Sequence, residues 1–168
     1  DYRLAFEGTV EVPDLASARV TLRGDGSTTD FEIDELDART LGGTVSAAGR
    51  LAWWPATTWD LQVRGDTLHP SALMPDSTEW PGVVSFTASS SGTATPEGAL
   101  DLAAVVDTVF GQVRGERLAG RFEGRLSGGD LEIPAARIAW GPGGGTASGR
   151  IGADLDLEFD VMVPDLDL

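Results

Sequence analysis

The chain has 168 residues, 27 of them acidic against 12 basic, and a net charge of −15; every base is an arginine. A surface this acidic repels nucleic acid and anionic headgroups, which excludes binding to either through overall charge. The lack of cysteine excludes disulfides, thiolate metal sites and thiol nucleophiles. No apolar run reaches the length of a membrane-spanning helix, and residue 1 does not open a signal peptide. Both ends fall inside strand-like patterns, "DYRLAFEGTVEV" and "DVMVPDLDL", and read as cuts within a longer protein.

Apolar residues recur with period two from end to end, which predicts strands. Leu4, Phe6, Gly8, Val10 and Val12 share one face, with Arg3, Glu7, Thr9 and Glu11 on the other. Ala16, Ala18, Val20 and Leu22 follow, then Phe31 and Ile33, then Val45, Ala47, Gly49, Leu51 and Trp53 before Pro55. Trp59, Leu61 and Val63 alternate with Asp60, Gln62 and Arg64. Residues 66–82 break the pattern; Pro70 opens a short helical turn through Leu73, and Pro75 and Pro81 close the excursion. Val84, Phe86 and Ala88 resume the alternation, and residues 91–98, "SGTATPEG", read as a loop or insertion. Leu100 to Val106, Val109 to Val113, Phe122 to Leu126, Leu131 with Ile133, and Ala136 to Trp140 come next. The last run, Ile151 to Val163, includes Ala153 and is the longest. Turns are expected at "RGDGS", "LGG", "LSGGD" and "GPGGG". This is an all-β chain of a dozen or more short strands in meander order.

A repeat runs through the chain. "FEIDELDARTLGGTVSAAGRL" from Phe31 matches "LEIPAARIAWGPGGGTASGRI" from Leu131. An offset near a hundred residues fits several hairpins per unit. Sub-repeats of about 1–68 and 82–168 within a single segment 1–168 follow, joined by 66–81. Each strand has one apolar face, which must close on a second sheet, form a barrel, or curl into an open trough. Small inward residues such as Gly8, Ala47, Gly49 and Gly124 favour curling and leave volume unfilled.

Motifs for chemistry are weak. "GGTASGRI" has phosphate-loop spacing, but it carries Arg150 for lysine and precedes a strand, so it reads as a turn. His69, the only histidine, has Asp66 and Ser71 nearby without the spatial evidence a triad needs. Asp154, Asp156, Glu158 and Asp160 lie along one flat face rather than around an ion. No catalytic residue, metal site or cofactor is expected. The tryptophans admit two readings, a packed core or an amphipathic rim.

"GTVSAAGRLAWWPATTWDLQVRGDTLHPSALMPD" followed by "WPGVVSF" resembles the TamB family of AsmA-like periplasmic proteins. The family pattern falls on Gly49–Trp53, Trp59–Gly65, Leu68–Pro75 and Pro81–Phe86. "LAGRFEGRLSGGDLEIPAARIAWGPGGGTASGRIGADLDLEFDV" is similar to its glycine-punctuated repeats. The resemblance implies a β-taco, an open U-shaped sheet with a hydrophobic groove, in a periplasmic protein anchored in the inner membrane. It also implies phospholipid as cargo, the outer-membrane barrel TamA as partner, and a role in assembling nascent outer-membrane proteins. The residues expected to line the groove are Leu4, Phe6, Leu51, Trp53, Trp59, Leu61, Phe86, Phe122, Ile138, Trp140, Leu157 and Phe159. Three functions compete: a lipid conduit, a chaperone that templates strands at its edges, and a surface adhesin or solenoid with a closed, dry core. Open edges would also let an isolated segment self-associate.

Overall fold

The computed structural model describes residues 1–10, 17–73, 80–152 and 154–163. Glu11, Val12, Ala16, Pro75 and Ala153 of the sequence assignments lie outside the described residues. Eleven strands are seen: β1 (Tyr2–Val10), β2 (Ala18–Gly26), β3 (Asp30–Thr40), β4 (Gly43–Ala52), β5 (Thr57–Leu68), β6 (Gly82–Ala94), β7 (Leu100–Val113), β8 (Glu116–Ser127), β9 (Asp130–Trp140), β10 (Gly143–Ile151) and β11 (Leu155–Met162). They form one antiparallel sheet in chain order, curled but not closed. At about 4.8 Å per strand the sheet measures about 50 Å across. The expected helical turn is a 3-10 turn, Pro70–Leu73.

The strands are fewer and longer than the sequence suggests, because several breaks in alternation are bulges rather than turns. β3 carries an extra residue at Asp34–Glu35, β7 at Asp107–Thr108 and β9 at Pro134–Ala135. β5 carries one at Asp66–Thr67, where the Thr67 N–H donates to Ser85 Oγ at 3.0 Å. Without a bulge, a skipped residue would turn every later side chain to the other face. The bulge absorbs it, so the chain continues as one strand with its apolar side unchanged, and bends there.

Several boundaries shift for local reasons. Residues 91–94 belong to β6, and the turn is Thr95–Ala99, closed by Thr95 N–H to the Ala99 carbonyl at 2.9 Å. "RGDGS" is mostly strand: Gly24 and Gly26 end β2, and the turn begins at Ser27. Leu41–Gly42 and Gly128–Gly129 make the expected two-residue turns with positive φ at both positions. So does Arg114–Gly115, a turn that the alternation does not announce.

The offset of one hundred is kept in three dimensions. β3 and β9 start at Asp30 and Asp130, and their bulges fall at 34–35 and 134–135. Gly49 and Gly149 both have φ +140, and a Cβ at either would lie about 2 Å from a carbonyl of the next strand.

Candidate functional site

Reading partners from strand to strand shows what the bulges preserve. One row crosses the whole sheet as Phe6, Leu22, Leu36, Ala47, Val63, Ala88, Val106, Phe122, Ala136, Ala147 and Phe159. A second runs Tyr2, Gly26, Phe31, Leu51, Trp59, Gly92, Leu102, Leu126, Leu131, Ile151 and Leu155. Neither contains a charge. Ser90, between Leu61 and Ala104, is a polar side chain on this face, and its Oγ accepts the Trp59 indole N–H at 3.0 Å.

Nothing extensive covers the face among the described residues. Each strand packs on its chain neighbours, and the 3-10 turn touches β6. Among the described residues only Phe31 at 7% and Val113 at 6% exposure are buried apolar side chains, so these residues form no closed core. The dry-core reading fails on that observation.

All but one of the twelve expected groove residues lie on this face by register: Leu4, Phe6, Leu51, Trp59, Leu61, Phe86, Phe122, Ile138, Trp140, Leu157 and Phe159. Trp53 follows the end of β4 at the rim, where its indole N–H donates to the Thr28 carbonyl at 2.8 Å. Trp54 beside it is 72% exposed. Trp59 lies on the open sheet floor rather than in a packed core, while Trp53, Trp54 and Trp140 sit at strand ends, as the rim reading expects.

The inward glycines do not simply leave space. Phe31 covers Gly24 and Gly26, Phe86 covers its direct partner Gly65, and Trp59 covers its direct partner Gly92. A Cβ at Gly65 would lie 2.4 Å from the Phe86 ring, and one at Gly92 would lie 2.3 Å from the Trp59 ring. Glycine lets each ring lie against the backbone of the next strand, shielding it from water. The floor is consequently smooth. Phe31, outside the expected set, is the best covered of these rings; Phe31→Ala should lower unfolding stability by about 3 kcal/mol, read by urea denaturation.

The apolar face hollows most clearly across β7–β11. There a concavity of about 410 Å³ is lined by Val106, Leu118, Phe122, Ile138, Phe159 and Val161, among others. A hollow of about 590 Å³ around Asp34, Asp37, Gln62, Arg64 and Asp107 lies mainly on the outward positions, with charged side chains among its lining. Only the first suits an apolar guest.

The outward face is held by exposed ion pairs: Arg3–Asp25 at 2.9 Å, Arg23–Glu35 at 2.8 Å, Arg64–Asp66 at 2.7 Å, Arg125–Glu123 at 2.8 Å, and Arg50 with Asp30. Hydrogen bonds from Ser27 and then Arg50 hold Asp30 below the ordinary value of 3.8, and Arg64 does the same for Asp66. Lowered carboxylates stabilise the fold above their unfolded pKa and lose that contribution as pH falls through the folded value. The contribution of this pair to melting temperature should be constant between pH 5 and 8 (about one unit or more above a free carboxylate) and fall below 3.8. Thermal melts of Arg50→Gln should show a smaller acid loss than wild type.

A family model described as TamB, N-terminal domain, matches residues 1–168. No solved structure matches the chain.

Proposed function

Since the chain belongs to the TamB family, a transport and assembly module of outer-membrane biogenesis that works with TamA, we propose that residues 1–168 conduct phospholipid acyl chains along the apolar face. The family spans the periplasm from an inner-membrane anchor and is not known as an enzyme. Among the described residues no helix is long and apolar enough to cross a membrane.

One observation carries the reading: charge-free rows that cross all eleven strands, with no covering layer among the described residues. Each methylene taken from water onto such a surface gains about 0.8 kcal/mol. Because neighbouring rows are alike, an acyl chain moves sideways without leaving apolar contact. The acidic outward positions keep the flanks in water.

Neighbouring residues on opposite faces supply the test. A photo-crosslinking side chain at Leu61 of the full-length protein should capture phospholipid in cells, and the same group at Gln62 should not. Equal capture at both positions would contradict the proposal.

A second reading draws on the sheet edges. Among the described residues β1 and β11 are each paired on one side only, which suits strand addition to a nascent outer-membrane protein. A proline within β11 should then impair protein assembly and spare lipid capture. The same edges predict edge-to-edge dimers of the isolated segment, measurable by light scattering.

A further inference from the structure

At the strand ends formed by β6–β10, the apolar face finishes in a cluster unlike the rest of the rim. The Trp140 indole N–H donates to the Val113 carbonyl at 3.1 Å. Its ring stands 6.2 Å from that of Trp80, tilted by 32°. The Arg114 guanidinium lies 5.5 Å from the centre of the Trp80 ring. Arg114 occupies a tight turn with φ +55, and its N–H donates to the Pro81 carbonyl at 2.7 Å, which ties the turn to the segment that carries Trp80 into β6. Among the described residues no carboxylate pairs with it. Glu116, after Gly115, leans on Gly141 beside Trp140: a Cβ there would be 2.7 Å from Glu116 Oε2.

This cluster borders the apolar concavity directly. Trp140 pairs with Leu118, and the next pair inward, Ile138 with Gly120, already lines the 410 Å³ hollow. Indole rings and arginine at the border of an apolar surface are the side chains that sit where hydrocarbon meets water. The chain as a whole is too acidic to attract an anionic surface. A headgroup carrying both charges meets no such repulsion, and a cation and an anion stand ready on either side of Gly115.

We propose that this rim is a headgroup station for a zwitterionic phospholipid: Arg114, braced on Trp80, takes the phosphodiester, Glu116 takes the ammonium, and an acyl chain enters the hollow past Trp140. The inference rests on the lipid-conduit reading and adds the place where the headgroup is read.

The test uses the 168-residue chain and three monomeric short-chain probes, followed by tryptophan fluorescence: dioctanoyl-phosphatidylethanolamine, dioctanoyl-phosphatidylglycerol and dioctanoylglycerol. Wild type should bind the ethanolamine lipid about 10-fold more tightly than dioctanoylglycerol, the scale of one charge-assisted contact. Arg114→Asn should remove that preference and leave dioctanoylglycerol binding intact; asparagine tolerates positive φ, so the turn survives. Glu116→Gln should abolish the preference for ethanolamine over glycerol headgroups. Full phospholipid preference in Arg114→Asn would overturn the station while leaving the groove standing. An unchanged headgroup preference in Glu116→Gln would overturn the ammonium contact. Displacement of the lipid by glycerol 3-phosphate alone would overturn the lipid assignment in favour of a free-phosphate site. Failure of wild type to bind any of the three probes would remove both the station and the conduit.

Discussion

Leu61→Arg in the full-length protein should abolish outer-membrane barrier support while circular dichroism of the 168-residue segment stays that of a β-sheet. Leu61 lies between Gly49 and Ser90 on the uncovered face, away from either rim. A guanidinium there has room to lie on the sheet, so folding survives. It also places a hydrated charge across the path proposed for an acyl chain, and hydrocarbon cannot replace that hydration. Gln62→Arg, on the opposite face, is the matched control and should have no effect. Phe86→Arg should block passage as well, but it also uncovers Gly65 and therefore costs stability. Cells carrying Leu61→Arg should become as sensitive to detergent as cells lacking the protein. Normal resistance at normal protein level would argue against a conduit through this face.

The second large effect belongs to stability. Gly49→Ala should destabilise the segment by about 3 kcal/mol, at the top of the ordinary range for one substitution. A Cβ at this position would lie 2.1 Å from the Asp60 carbonyl oxygen, and φ is +140. Both terms act against the β4–β5 pairing: strands must separate, and an L side chain must hold a conformation natural only to glycine. Gly149→Ala should behave alike, because its Cβ would lie 2.0 Å from the Asp156 oxygen with the same φ. Gly120→Ala is the milder comparison, with a nearest contact of 3.1 Å and no positive φ. Urea denaturation of the three variants should rank 49 and 149 together, well below 120. Equal midpoints would mean that the backbone is not held as described.

The fold was legible because one rule, alternation, governs nearly every strand. The faces of Trp59, Leu61 and Val63 follow from residues 59–64 alone, and the pairing bears this out. Strand boundaries were less legible because a broken alternation has two causes. At Leu41–Gly42 it marks a turn; at Asp107–Thr108 it marks a bulge inside a 14-residue strand. Both look alike in sequence, and only the partner strand, which runs past without a break, decides between them. The repeat offered a further clue, since the skipped residues at 34–35 and 134–135 stand one hundred apart. Glycine at 65 and 92 was legible as small and inward, but not as the seat of a ring on another strand. That relation needs the register. The Arg114–Trp80–Trp140 cluster left no local pattern at all, because a turn, a loop end and a strand end from three places in the chain build it together.

Native mass spectrometry of the purified 168-residue segment, with organic extraction of whatever it carries, tests the open apolar face most directly. Phospholipid should be bound in near-stoichiometric amount, released into the organic phase, and replaced by an apolar dye once removed. A clean apo mass together with no dye binding would contradict it, since a face with these uncovered rows cannot stay dry and empty in water.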